Sequence, residues 1–195
     1  MTKYSKLALC ALVLGAMTFT SCSKDDNSST PPSIYQRLGG SALVDDPDNS
    51  DPAVKIEAGR LAYRKVVNTT IGLIVADVQS NAPGNLGAHF APLLGEVGAG
   101  NTTNLAELVD NLTDFFSYNT GGTDAVNTYS GLSMADAHNP AVNNRMGVKA
   151  NTANYTKFEG YVGAAAVQNG VAANTQLYTD IVAVLESLRP TIVQQ

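Results

Sequence analysis

The stretch "NTTNLAELVDNLTDFFSYNTGG", residues 101–122, sets Leu105, Leu108, Leu112, Phe115 and Phe116 at intervals of three and four residues before closing on Gly121-Gly122. That spacing puts the apolar side chains on one stripe of an α-helix, and a glycine pair is a natural place for a helix to stop. The pattern recurs from Ala53 to about Val78, where Ile56, Leu61, Val66, Val67, Ile71, Ile74 and Val75 give a mostly buried face. Strict alternation of apolar and polar residues never runs beyond a few positions, so no long half-buried strand is expected. The chain therefore reads as all-α, with short helices, long polar loops and glycine breaks.

The remaining segments fit that class. "SIYQRLGG" (33–40) predicts a short helix capped by Ser33 and ended by Gly39-Gly40. "LVDDPDNSDP" (43–52) is a polar, turn-rich insertion, and "SNAPGN" (80–85) breaks the long helix. "LGAHFAPLL" (86–94) is a short apolar segment followed by a Gly-rich loop, and "SMADAH" (133–138) a short helix capped by Ser133. A polar, Asn-rich loop reaches about Asn151. Two closing helices are expected over 152–168 and 174–188, with Asn169-Gly170 ending the first and Pro190 near the end of the second.

The chain opens on "MTKYSKLALCALVLGAMTFTSC". Lys3 and Lys6 precede an apolar run from Leu7 to Phe19, too short for a permanent membrane span and matching a secretory signal. Thr20 and Ser21 then lead into Cys22, which resembles the lipobox of bacterial lipoproteins. The resemblance implies a signal over 1–21 and an acylated Cys22 as the first mature residue. Cys10 lies within that signal, so Cys22 would be the sole mature cysteine, with no partner for an internal disulfide. Residues 22–32, polar and proline-containing, read as a flexible tether. Lys24-Asp25-Asp26 resembles the lysine-plus-acidic export signal of certain bacterial surface lipoproteins. The expected location is the outer membrane, facing outward, or otherwise the periplasm.

Residues 33–195, about 160 in number, suffice for one domain with a sizeable core. The formal charge is −5 for the full chain; without Lys3 and Lys6, ten Lys+Arg stand against seventeen Asp+Glu, or −7. Such an acidic domain without basic clusters repels phosphate backbones, which argues against a nucleic-acid partner. The sequence has no Trp, no Cys/His cluster of metal-binding type, and neither a phosphate-loop nor a nucleophile-elbow motif.

His138 is one of only two histidines, and Met134 one of only four methionines. They stand at i and i+4 in "YSGLSMADAH" (129–138), so both project from one face of the short helix. Alone, that spacing is compatible with a solvated histidine at a helix end. The shared face with Met134 also admits a thioether and an imidazole meeting an apolar cofactor, although a lone histidine at a helix end is more often a solvated cap residue.

Taken in order, these segments resemble the truncated haemoglobins, especially group I. "SIYQRLGG" is similar to their opening helix and Gly-Gly break, and "FFSYNTGG" (115–122) to the end of their distal helix. "YSGLSMADAH" fits their Tyr-x-Gly-x-x-Met-x-x-x-His segment, whose last residue is the proximal haem ligand. "YTKFEGYVGAAAVQNGV" (155–171) and "IVAVLESLRPTIV" (181–193) are similar to their last two helices. The resemblance covers most of 33–193 and implies a two-over-two sandwich of helices around haem b.

It also implies a site, residue by residue. His138 would be the proximal ligand to iron. Phe90 would pack flat on the haem, and Phe115, Phe116 and Met134 would line the pocket. Ile71 falls where many group I members carry a distal tyrosine, and Leu108 and Leu112 at two positions facing the iron-bound ligand, the second often glutamine. An Ile/Leu/Leu pocket donates no hydrogen bond to bound O2. Such bonds are worth roughly 1.5–3 kcal/mol, so weak, easily oxidised O2 binding or another role is expected unless a donor such as Thr70 substitutes. His89, beside Phe90, reads either as a surface or haem-edge histidine or as a sixth iron ligand.

Three functions follow from this resemblance. One is a tethered globin binding O2, NO or another small ligand, with a redox partner; the sequence shows no reductase segment, which favours binding over a dedicated enzyme. Another is a surface protein that captures haem and passes it to a transfer partner. The third is an interaction module whose globin fold has lost haem, suggested by the altered distal positions and insertions at 43–55, 95–104 and 139–151.

Overall fold

Seven α-helices carry the fold in the computed structural model, which describes residues 31–123 and 125–195. The expected signal, Cys22 and the tether as far as residue 30 lie outside the described residues. The first helix, α1 (Ile34–Arg37), starts as its sequence suggests. Ser33 Oγ accepts from the Gln36 amide while the Gln36 side chain accepts from the Ser33 amide, closing a capping box. Gly39 then turns the chain at φ +120° against α2, where a Cβ would lie 2.6 Å from the Ala58 Cβ. Only glycine tolerates both the conformation and the approach.

The 43–57 region departs from an all-α reading. Leu43–Asp45 (β1) and Lys55–Glu57 (β2) pair antiparallel, Val44 opposite Ile56, and the turn-rich insertion is the loop of this hairpin. As a result α2 begins at Ala58 rather than near Ala53 and runs to Gln79. Helix α3 (Ala91–Gly98) occupies most of the expected Gly-rich loop, with Pro92 in its first turn, where the missing N–H is not needed. Helix α4 (Thr103–Asn119) follows the apolar stripe of 101–122, and α5 (Met134–Ala137) is capped by Ser133. Helix α6 (Thr152–Gln168) has Asn151 as cap, reinforced by Asn154 in a second capping box. Helix α7 (Gln176–Ile192) continues through Pro190 for another two residues.

Helix α2 is the hub, packing against both α4 and α6; α6 lies on α7, and α7 also receives α5 and α1. Hydrogen bonds and ion pairs fasten these contacts. Arg60 on α2 pairs with Asp114 on α4, and Tyr161 on α6 donates to Asp77 on α2 at 2.6 Å. Tyr155 on α6 donates to the Leu185 carbonyl of α7 at 2.5 Å. Among the described residues no helix is long and apolar enough to cross a membrane.

The buried apolar core is divided. One cluster gathers Ile74, Leu86 and Tyr161, with Phe90 against it; the other gathers Ala150, Tyr155 and Ile192, with Met134 against it. Phe158 touches both. Several residues on the inward stripes of α2 and α4, including Ile71, Leu108, Leu112 and Phe116, are only half-buried. They face an internal space instead of one another.

Candidate functional site

That space is a cavity of about 690 Å³ with predominantly apolar walls from α2, α3, α4, α5, α6 and α7. Its size lies within the ordinary range for small-molecule and cofactor sites. Ile71, Phe90, Leu108, Leu112, Phe115, Phe116, Met134 and His138 all line it. They come from separate stretches spanning residues 71–138, and the packing of α2, α4 and α5 brings them around one volume. Phe115 is buried and meets Phe116 edge-on with ring centroids 5.5 Å apart; the other seven are half-buried because they border the void.

His138 follows α5 directly. Its Nδ1 stands 2.8 Å from the Met134 carbonyl oxygen, a separation of four residues. A carbonyl only accepts, so Nδ1 carries the proton and the neutral ring keeps its lone pair on Nε2. Burial holds the His138 pKa below the ordinary 6.5, and His89 adds to the depression against the opposing pull of the Met134 hydrogen bond. The ring is therefore neutral at pH 7, oriented by its own helix, and free to donate an electron pair through Nε2. This second-sphere hydrogen bond is the arrangement that metal-ligating histidines commonly use.

His89 lines the same cavity and is buried, only 6% exposed, so it is not a surface residue. Its Nδ1 lies 3.1 Å from the Val148 carbonyl, and its own carbonyl accepts from the Gly147 amide at 2.8 Å. The corner before α3 is thus stapled to the 147–148 segment. A Cβ at Gly147 would sit 2.0 Å from the Ala88 carbonyl oxygen, so this close crossing requires glycine. By the same reasoning as for His138, the lone pair of a neutral His89 is on Nε2. Neither Nε2 has a hydrogen-bond partner among the described residues.

Several lining residues were not picked out by helical spacing. Thr70, beside Ile71 on α2, is 5% exposed, and its Oγ1 is buried without a partner among the described residues. Tyr63 also lines the cavity, but its hydroxyl turns away, donating to Thr120 Oγ1 at 2.7 Å while Thr120 donates to the Phe116 carbonyl. Burial pushes the Tyr63 pKa well up, so it stays a neutral phenol. Its ring stacks on Phe116 at 6.0 Å, and Tyr129 meets Phe115 edge-on at 5.4 Å. Helical period marks inward faces, but only the tertiary packing tells which polar neighbour shares the void.

Among the described residues no group of three or more His, Cys, Asp or Glu side chains is placed to hold a metal ion. What the cavity offers is a large apolar volume with the His138 lone pair, a second imidazole from His89 and one hydroxyl unpartnered among the described residues. This donor set suits an apolar group that brings its own additional metal ligands, as a porphyrin does. No protein-family model and no curated protein matches the chain.

Proposed function

We propose that the protein is a haem-binding, truncated-globin-like lipoprotein in which His138 is the proximal ligand of haem b. The observation that carries this reading is the convergence of all eight residues suggested by the family resemblance on one cavity, together with the neutral, oriented His138 imidazole. The packing of α2 on α4 and of α6 on α7, linked through α2 and α6, supports the two-over-two arrangement that such a globin needs. Phe90, Phe115, Phe116 and Met134 would supply the apolar walls. Haem, when bound, supplies an iron at which O2, NO or another diatomic ligand coordinates.

This chain's residues act on that chemistry by what they exclude and what they orient. The Met134 carbonyl fixes the His138 tautomer. The side chains of the Ile71, Leu108 and Leu112 wall themselves donate no hydrogen bond to a bound ligand, which leaves the unpartnered Thr70 hydroxyl beside Ile71 as a candidate donor. That wall favours non-polar ligands such as CO over O2, whose bound form gains from a donor. It also favours a second reading, a surface protein that captures haem and hands it to a transfer partner. Cys22 acylation would tether either form to the outer membrane, facing outward or into the periplasm.

Two measurements separate these readings. In the haem-loaded protein, the ferrous-CO spectrum should be that of a histidine-ligated haem and should change in His138→Ala. With excess apomyoglobin, a gas-binding protein retains its haem for hours, whereas a capture protein loses it within minutes. A CO spectrum indifferent to His138→Ala would refute the assignment of the ligand.

A further inference from the structure

Four aromatic side chains of the cavity wall touch one another in series. Tyr129 meets Phe115 edge-on at 5.4 Å, Phe115 meets Phe116 at 5.5 Å, and Phe116 stacks on Tyr63 at 6.0 Å. One further ring extends the series away from the cavity. Tyr35, only 1% exposed and outside the lining, stacks on Tyr63 with centroids 6.5 Å apart and planes 15° from parallel. It stands one ring behind the wall.

A phenylalanine ring resists oxidation, whereas a phenol gives up an electron if its proton has somewhere to go, because the oxidised phenol is a strong acid. The three tyrosines of the series differ in that respect. Tyr63 donates to the Thr120 hydroxyl and Tyr129 to the Leu132 carbonyl at 2.6 Å, and neither acceptor takes up a proton readily. Tyr35 alone among them donates to a carboxylate. Its partner, Glu57 Oε2, is buried and also accepts from Asn127 Nδ2 at 2.7 Å.

The Tyr35 oxygen in turn accepts from Asn127 Nδ2 at 3.2 Å, a hydrogen bond that it keeps after losing its own proton. Tyr161 also donates to a carboxylate, that of Asp77. That group is already paired with Lys157, and Tyr161 does not line the cavity. Proton acceptor and ring contact coincide at Tyr35.

We propose that Tyr35 is a one-electron donor to an oxidised group bound in the cavity, its electron passing through the Tyr63 ring and its phenolic proton to Glu57. The O–H bond of Tyr35 breaks, leaving a neutral tyrosyl radical beside a neutral carboxylic acid. The buried charge of Glu57 is thereby neutralised in place, and no new buried charge forms. Hydrogen peroxide is the external oxidant. Its conversion to two waters takes two electrons and two protons; one electron comes from Tyr35, and the rest from a soluble reductant and solvent. The proposal rests on the haem reading, since a group able to pass electrons has to occupy the cavity, but it concerns the region behind the wall rather than the iron ligand.

The test mixes the haem-loaded full chain with hydrogen peroxide, freezes the mixture rapidly and reads it by electron paramagnetic resonance. The wild type should give a tyrosyl signal, identified by its narrowing when the tyrosines carry ring deuterium. Tyr35→Phe keeps the stacked ring and should lose that signal, whereas Tyr161→Phe should retain it. Glu57→Gln keeps Tyr35 and the size of its partner but removes the base, so it should lose most of the signal with haemin uptake unchanged. A haem-loaded wild type without a tyrosyl signal, or a signal that survives Tyr35→Phe, would overturn the proposal while leaving the haem reading standing. An undiminished signal in Glu57→Gln would overturn it equally, and that variant decides the matter if Tyr35→Phe fails to fold. Failure of the wild type to take up haemin would overturn the proposal together with the haem reading.

Discussion

Two interior regions of this protein differ in how far their buried polar groups are tied to one another and how far their walls close. Where α1, the start of α2 and the 3-10 turn Ala125–Asn127 meet, Tyr35, Glu57 and Asn127 are almost fully buried. Tyr35 donates to Glu57 Oε2, which also accepts from Asn127 Nδ2 at 2.7 Å. Burial, reinforced by the bond to Glu57, pushes the Tyr35 pKa up to about 12, so it remains a donor. In the cavity, by contrast, the Thr70 hydroxyl has no partner among the described residues, the two histidines are bonded there only through Nδ1, and the apolar walls do not close on one another. The first region is cross-linked around Glu57, with Asn127 Oδ1 left without a partner among the described residues. The second leaves volume and lone pairs unspent, at a cost in stability that a bound ligand would offset. The stacked rings of Tyr35, Tyr63 and Phe116 connect the two.

Substitutions can break or sharpen this contrast. The largest effect is expected for Asn127→Ala, which removes a donor from a buried carboxyl group. It should cost about 2–3 kcal/mol in urea unfolding without altering haemin stoichiometry. Ile71→Tyr places a hydroxyl on the apolar wall. In the ferrous haem-loaded protein it should slow O2 dissociation by about ten- to a hundredfold, equivalent to roughly 1.5–3 kcal/mol, as stopped-flow measurement would show. An unchanged rate would mean that position 71 does not face the ligand.

Thr70→Val should behave unlike an ordinary threonine replacement. Removal of an unpartnered buried hydroxyl should stabilise the haem-free protein by about 1 kcal/mol; destabilisation would show that the hydroxyl has a partner in solution. The smallest effect concerns pH. His138 has a lowered pKa in the folded state, so the unfolded chain binds its proton first on acidification. Its contribution to stability is therefore present above pH 6.5 and is lost as pH falls through the folded value. Urea midpoints measured below pH 6.5 should fall less steeply in His138→Gln.

Much of the helical frame was legible because its signals are local. The stripe of Leu105, Leu108, Leu112 and Phe115 predicts α4, and Ser33 and Ser133 mark the starts of α1 and α5 through caps that involve only neighbouring residues. The β1–β2 hairpin was not legible, since three-residue strands are too short to show alternation and their pairing joins residues 43 and 57. Helix α3 continues through Gly95 and α7 through Pro190 because tertiary packing outweighs the local preference of single residues. For the site, periodicity showed which faces of α2 and α4 turn inward. It could not show that those faces meet a void. Nor could it show that Arg145 pairs with Glu107, or that Thr70 is left without a partner, since these depend on how distant segments pack.

The most direct test is an absorption titration of the purified protein with haemin, run beside His138→Ala. The expected result is a sharp Soret band saturating near one haemin per chain, with a ferrous-CO form that changes in the variant. Broad absorbance that fails to saturate in either protein would contradict a haem site and leave the cavity to another apolar ligand.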